Sequence, residues 1–231
     1  MIIVAILTLL YLRHSTKVSL LGGFKLTLAD HFVDVSRTLF FGIELMIANV
    51  FLLLHLFKND FYTLFVLKQK SKKLLWIKEV YKSIIFSLCS TIYLLICTYG
   101  IGGLLCTSYI NWDNKRSVFF GETNIICSDI KFINVIVAFF LVSFIRILVI
   151  ALLTMLIYWI TNKSSIPIIV IITVGIVDFY CPIFYRLISI YYKMWINPIK
   201  IPIGLIYGIF LIISIVYIGV LKADRKEFLN E

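Results

Sequence analysis

The distribution of apolar residues limits the possible folds of this chain more than any other feature. Apolar stretches alternate with polar segments, and several reach the roughly 20 residues that a helix needs to cross a hydrocarbon core of about 30 Å. They do not alternate apolar with polar residues as barrel strands do. We therefore predict an all-α, polytopic membrane helix bundle in one domain, residues 1–231, with about six transmembrane helices. The six stretches cover residues 1–12, 39–57, 83–106, 132–161, 166–181 and 201–221.

The composition agrees with a membrane environment. The chain of 231 residues is 61% apolar and only 15% charged, and its mean hydropathy is +1.03. A water-soluble globule of this size needs more polar surface. The formal charge is +10, and because the basic residues flank apolar stretches, the predicted partner is anionic membrane lipid and not nucleic acid.

The first apolar stretch, residues 1–12, is too short to cross a membrane comfortably. It lacks the basic start and the small-residue cleavage site of a signal peptide. Either its helix continues through the polar sequence "RHSTK", or the chain as given begins late and the first helix is truncated or irregular. The sequence leaves both alternatives open.

A lysine-rich segment, residues 58–82, follows the second stretch with the sequence "KNDFYTLFVLKQKSKKLLWIKEVYK". The segment contains seven lysines but only two acidic residues, Asp60 and Glu79. Lysine density near span ends sets orientation, so this segment is predicted to be cytoplasmic. Alternation of the spans then places both ends of the chain in the cytoplasm.

The first part of the lysine-rich segment is predicted to form a short amphipathic helix, which is followed by a basic turn and then by the helix of the third span. Helical spacing and a possible N-cap support that helix. Attraction to an anionic leaflet, about 1 kcal/mol for each lysine, also accounts for the cluster by itself. The helix residues are Asn59, Asp60, Phe61, Leu64, Phe65 and Lys68, and the basic turn contains Lys70, Lys72 and Lys73.

Four ionisable residues fall within apolar stretches, where a charge costs at least about 2.5–3.5 kcal/mol on insertion scales. Arg146 lies near the middle of the fourth stretch, Glu44 and His55 share a helix face in the second, and Asp178 lies in the fifth. They could line a substrate path or a gate. The favoured alternative is an ion pair between Arg146 and Glu44 or Asp178 that fixes helix packing.

Small residues predict close helix packing. Gly204 and Gly208, in the sequence "GLIYG", lie on one face of the last stretch, and Ser83, Ser87 and Thr91 do the same on the third. Such faces let helix backbones approach closely in lipid. Packing within the chain is favoured over a dimer interface.

No residue pattern predicts catalysis. The three histidines are scattered, and neither a zinc motif nor a phosphate-binding glycine loop occurs, so no catalytic residue, metal or cofactor is predicted. If ATP drives the protein, another polypeptide binds it. Cys106 and Cys127 bracket one loop and could pair if it is extracellular, but two unlinked thiols are the favoured interpretation.

The residues before the last stretch, "CPIFYRLISIYYKMWINPIK", are interrupted by Pro182 and rich in aromatic and basic side chains. Tyrosine and tryptophan favour the headgroup level of a membrane. The segment therefore indicates either a re-entrant or interfacial stretch on the outer side or an aromatic belt around a loop.

The layout of residues 39–231 resembles the permease subunits of ABC-2-type transporters, in particular those of bacterial peptide, bacteriocin and lantibiotic export or immunity systems. The resemblance lies in the inner loop "VLKQKSKKLLWIKEVYKS", the broken stretch before the last span and the tail "DRKEFLNE", and in no single specific motif. The first apolar stretch departs from the family, whose members usually open with an interfacial helix and a full first span.

This resemblance implies a multi-pass permease subunit in the bacterial cytoplasmic membrane that moves an amphipathic peptide or a lipid. It also implies ATP-binding cassette subunits supplied in trans, a second permease subunit, and a coupling helix for the ATPase at residues 59–73. One alternative is a substrate-capture subunit of a small-molecule uptake system, which requires an outer polar pocket that the loops do not predict. Another is a stand-alone membrane immunity protein.

Overall fold

The computed structural model describes residues 2–37, 45–57, 71–181, 188–197 and 199–225. The regular structure of these residues is helical, which confirms the prediction of an all-α bundle. The helices are α1 (Ile2–Leu21), α2 (Leu28–Ser36), α3 (Met46–Phe57), α4 (Lys72–Leu105), α5 (Val118–Thr123), α6 (Phe132–Thr161), α7 (Ser165–Tyr180), α8 (Tyr192–Ile196) and α9 (Lys200–Arg225).

Four of the described helices are long and apolar enough to cross a membrane, which marks the chain as a membrane protein. They are α1, α4, α6 and the part of α9 from Lys200 to Ala223. The apolar helices α3 and α7 are shorter. The centre of the bundle is α6, since α2, α3, α4, α7 and α9 all pack against it.

Helix α1 continues through the polar sequence "RHSTK" as far as Leu21. Two of its polar side chains bond within the fold: Thr16 donates to the carbonyl of Leu12 at 2.8 Å, and Ser15 donates to the carboxylate of Asp34. The chain then turns at Gly23, whose φ of +76° favours glycine.

The second apolar stretch is preceded by a separate short helix, α2, that hydropathy alone did not predict. All nine of its residues are buried, although they include two aspartates and a histidine. It ends at Ser36, the backbone of the next residue, Arg37, is extended (φ −64°, ψ 155°), and α3 begins at Met46.

Three loop segments meet at one end of the bundle, which we call the loop face: residues 22–27, 106–131 and 188–197. The backbone amide of Lys25 donates to the carbonyl of Arg116 at 2.9 Å, and that of Leu28 donates to Ser108 at 3.0 Å. The rings of Trp112 and Trp195 lie 5.7 Å apart. These contacts fold the loops over the end of the bundle.

The opposite end, which we call the lysine-rich face, contains the start of α4 and the end of α6. The rings of Trp76 and Trp159 lie 5.9 Å apart, and the indole of Trp76 donates to the carbonyl of Val216 at 3.1 Å. A Cβ at Gly219 would overlap that indole, so α9 approaches α4 closely there. The predicted alternation of loops across the membrane and the cytoplasmic assignment of this face stay predictions.

Candidate functional site

The candidate site is a buried polar cluster on α2, which we call the α2 cluster: Asp30, His31, Asp34 and Arg37. Ionisable side chains are rarely buried unless they are paired, and such groups with shifted pKa values concentrate at functional sites. Asp30 and His31 have no exposed surface, and Asp34 has almost none. The cluster lies outside the four long apolar helices, beneath the loops of the loop face.

Asp30 joins the start of α2 to the long loop between α4 and α6. One carboxylate oxygen accepts hydrogen bonds from the backbone amide of Thr27 at 2.8 Å and from its hydroxyl at 2.7 Å. The other accepts from the indole of Trp112 at 2.8 Å. Burial raises the pKa of Asp30, although these hydrogen bonds oppose the shift.

Asp34 joins α2 to α1 and to Arg37. Its carboxylate accepts from the hydroxyl of Ser15 and lies 3.2 Å from the guanidinium of Arg37, while its backbone carbonyl accepts from Tyr11 at 3.1 Å. Burial raises the pKa of Asp34 to about 6, against the lowering effect of Arg37. The carboxyl group is thus poised to change its charge near neutral pH.

Arg37 connects the cluster to two short helices of the loop face. Its guanidinium donates to the carboxylate of Glu122, in α5, at 2.9 Å. The same group lies 5.2 Å from the centre of the Tyr192 ring, in α8, a distance at which a cation and an aromatic ring attract each other. One cation therefore holds α2, α5 and α8 together.

His31 contacts the end of α4 through Cys106, whose sulfur lies 3.1 Å from Nε2 of the imidazole. Burial lowers the pKa of His31 to about 4 and raises the pKa of Cys106 to about 11, so both groups are neutral at pH 7. All five cysteines are free thiols. The favoured alternative of unlinked Cys106 and Cys127 therefore agrees with the structure.

Arg146 meets the C-terminal end of α2. Its Nη1 atom donates to the carbonyl of Ser36 at 2.7 Å, and the hydroxyl of Ser36 accepts from the amide of Ile190 at 3.2 Å. Carbonyls of a last helical turn lack helical partners and carry partial negative charge, which a cation stabilises. Glu44 lies outside the described residues, and a pairing of Arg146 with Glu44 or Asp178 stays a prediction.

The other residues singled out in the sequence lie apart from the α2 cluster. Asp178 is buried near the end of α7, and His55 is exposed near the end of α3. Gly204 and Gly208 are buried on α9, and a Cβ at Gly208 would overlap Ile145 of α6, so that glycine serves packing within the chain.

The predicted coupling helix is largely outside the described residues. Lys72 and Lys73 are exposed and form the first turn of α4, where the hydroxyl of Ser71 accepts from the amide of Leu74 at 3.1 Å. The remaining members fall in the undescribed part, and their helix stays a prediction: Asn59, Asp60, Phe61, Leu64, Phe65, Lys68 and Lys70.

Helix α4 connects the lysine-rich face to the α2 cluster without a break. Its 34 residues extend about 51 Å at 1.5 Å per residue, which exceeds the hydrocarbon thickness. At its far end, a Cβ on Gly102 would lie 2.7 Å from Leu28 and 3.1 Å from His31. Because only glycine allows this approach, the end of α4 and the start of α2 are in direct contact.

A cavity of about 290 Å³ opens beside this contact on the loop face. Its lining mixes hydroxyl groups, a thiol and aromatic rings, and consists of Leu28, Tyr99, Gly103, Cys106, Thr107, Ser108 and Tyr109. The loop sequences did not predict this partly polar cavity. Trp112, in the loop between α4 and α6, donates to the buried carboxylate of Asp30 and so helps to hold this loop on α2.

One local signal could have revealed α2. The sequence "TLAD", residues 27–30, places an N-cap threonine three residues before an acid, the pattern of a capping box at a helix start. No local signal identifies Trp112, Glu122 or Ile190 as its partners, since these residues lie 82, 85 and 154 positions from the residues that they contact.

No protein-family model matches the chain, and comparisons with curated proteins and with solved structures find no match either. The features of the chain that indicate a function are therefore the bundle, the α2 cluster and the two faces that α4 connects.

Proposed function

We propose that the chain is the permease subunit of an ABC-2-type transporter, which moves an amphipathic peptide or a lipid across the bacterial cytoplasmic membrane. A separate subunit binds and hydrolyses ATP. The observation that carries this proposal is α4, one unbroken helix from the lysine-rich face to the α2 cluster. A displacement at its first turn is transmitted to Gly102 because intrahelical hydrogen bonds keep the helix rigid.

The start of α4 offers a surface on which an ATPase can act. Leu74, Ile77 and Tyr81 are exposed beside the exposed lysines Lys73 and Lys78. Apolar side chains rimmed by charges are typical of protein interaction sites. Helix α4 is longer than the membrane is thick, so its first turns can project from the bilayer towards a soluble subunit.

The α2 cluster provides the element that such a displacement would move. In this conformation Asp30 holds Trp112 and Arg37 holds Glu122, so the loops cover the end of the bundle. A transport path that opens at the loop face requires these contacts to break. The Asp30 carboxylate is buried, so leaving it without the indole of Trp112 is costly, and this cost suits an element with two discrete states.

Co-purification tests the proposal. The tagged chain, extracted from its native membrane in mild detergent, is expected to elute with an ATP-binding subunit. Charge reversal at Lys70, Lys72 and Lys73 should abolish that association. The matched control reverses two exposed cations of the loop face, Lys115 and Arg116, and should retain the subunit. Elution without an ATP-binding subunit, or equal loss in both variants, would contradict the proposal.

A second function, substrate capture for small-molecule uptake, is supported by the cavity on the loop face. Its size lies near the lower end of the range for ligand pockets, about 300–1,000 Å³, and its lining carries several hydroxyl groups. In this case the purified lone chain retains a small molecule, and Gly103→Trp, which fills the cavity, releases it. Gly100→Trp is the control, because Gly100 also borders open space but does not line the cavity.

A further inference from the structure

A groove between α1 and α3 has no role in the proposed function. It has a volume of about 440 Å³ and is almost wholly apolar. Its lining residues are Ile3, Val4, Leu7, Ile47, Ala48, Phe51, Leu52 and His55. We propose that this groove binds an acyl chain of an anionic phospholipid, whose headgroup lies at the lysine-rich face.

The shape of the groove follows from its side chains. Val4 is buried at its base, and Ala48 is too small to fill the space between the two helices. Phe51, which is 54% exposed, and Ile3 form the outer walls. Because α1 is long and apolar enough to cross the membrane, and Ile3 and Phe51 of the lining are exposed, we expect lipid to surround the groove.

The polar and apolar parts of the groove are separated along its length, as they are in an amphiphile. The α3 lining is apolar from Ile47 to Leu52, and its one ionisable member, His55, lies at the end where α3 finishes. At that end Lys82 lies 5.6 Å from the ring centre of Phe57. The ionisable end of the groove therefore coincides with the lysine-rich face.

The charge of that face selects an anionic headgroup. Residues 58–82 carry seven lysines and two acids. Lys82 pairs with Glu79 at 3.0 Å, and Lys73 and Lys78 are exposed near the start of α4. Basic residues near a membrane surface attract acidic lipids. A zwitterionic lipid makes the same apolar contacts in the groove, but its headgroup is attracted less strongly to the positive charge of this face.

The volume of the groove favours an acyl chain over a protein helix. A helix with its side chains is about 10–12 Å across, and even two of its turns occupy more space than the groove provides. An acyl chain is narrow and wholly apolar, which matches a lining whose single ionisable side chain is at one end.

Native mass spectrometry of the full chain tests this inference. The protein is stripped of lipid and then mixed with phosphatidylglycerol or phosphatidylcholine of identical acyl chains. We expect one tightly retained phosphatidylglycerol and at least tenfold weaker retention of phosphatidylcholine. Equal retention of the two lipids would overturn the assignment of an anionic headgroup.

Two variants locate the bound lipid. Ala48→Phe fills the groove and is expected to reduce phosphatidylglycerol retention at least tenfold, whereas Leu56→Phe should leave it unchanged. Leu56 is a matched control because it lies on the same helix, is 55% exposed and does not line the groove. Equal retention by the two variants would place the lipid elsewhere. Ala48→Leu replaces Ala48→Phe if the larger side chain prevents folding.

A photo-crosslinking amino acid at Phe51 gives an independent readout in native membranes. Crosslinking to phospholipid is expected. Crosslinking to a peptide or to a second copy of the chain would assign the groove to a protein ligand and overturn the inference. Failure of the proposed permease function leaves all of these outcomes unchanged, because the experiments need no ATPase.

Discussion

At the scale of single residues, burial shifts the pKa values of two neighbouring groups on α2 in opposite directions. The pKa of Asp34 rises to about 6, so its favourable contribution to stability is complete at low pH and is lost as pH rises through about 6. The pKa of His31 falls to about 4, so its contribution is present above pH 6.5 and is lost as pH falls towards 4. Between pH 4 and 6 the two effects oppose each other.

Substitution of either residue should expose the effect of the other. In Asp34→Asn the opposing effect of Asp34 is lost, so the unfolding temperature in detergent should fall more steeply than in the wild type as pH drops from 6.5 to 4. In His31→Gln it should rise over the same interval. Both variants keep the other charged or titratable groups near the pair, so these groups affect the two variants alike. They are Arg37, Glu122, Asp30 and Cys106. If the unfolding temperatures of both variants depend on pH as that of the wild type does, this would contradict the burial of Asp34 and His31.

At the scale of elements, Arg37 forms ion pairs with two acidic residues, and we expect the two pairs to contribute unequally to stability. Asp34 is buried and Glu122 is half-exposed. Arg37→Ala leaves the Asp34 carboxylate buried and unpaired, which should cost about 3 kcal/mol at pH 7. Glu122→Ala removes an exposed pair and should cost about 1 kcal/mol or less. Denaturant unfolding of the two variants measures the difference, and equal losses would show that α2 does not depend on this ion pair.

The same elements show which parts of the fold the sequence predicts. Helices α6 and α9 follow from uninterrupted apolar stretches, because hydropathy reports burial in lipid directly. Helix α2 does not follow from hydropathy, because four polar residues lower its mean value. They are Asp30, His31, Asp34 and Ser36. Their burial depends on partners that lie far away in sequence, such as Trp112 and Ile190. Composition reveals the membrane-crossing helices, whereas the polar cluster depends on tertiary contacts.

Residue Arg146 gives a second example at this scale. The sequence marks it as a buried cation that needs a partner, and it predicts a carboxylate for that role. The structure shows a contact with the carbonyl of Ser36 at the end of α2, and pairing with a carboxylate stays a prediction. This contact could not be predicted because the helix that supplies the carbonyl was itself not predicted.

At the scale of the whole molecule, the two faces should lie on opposite sides of the cell membrane. A cysteine at Lys73 reports on the lysine-rich face and one at Lys115 on the loop face, and both positions are exposed. In intact cells a membrane-impermeant maleimide should modify Lys115→Cys, and it should modify Lys73→Cys only after the membrane is opened. Site-resolved mass spectrometry separates these cysteines from the native ones. The reverse pattern would invert the predicted orientation.

In the proposed permease, α4 transmits work from an ATPase at the lysine-rich face to the α2 cluster. Cys106, which contacts His31 and lines the cavity on the loop face, reports on that far end. In the complex with the ATP-binding subunit, a non-hydrolysable ATP analogue should change the rate of Cys106 alkylation at least tenfold. An unchanged rate in a complex that binds the analogue would contradict the claim.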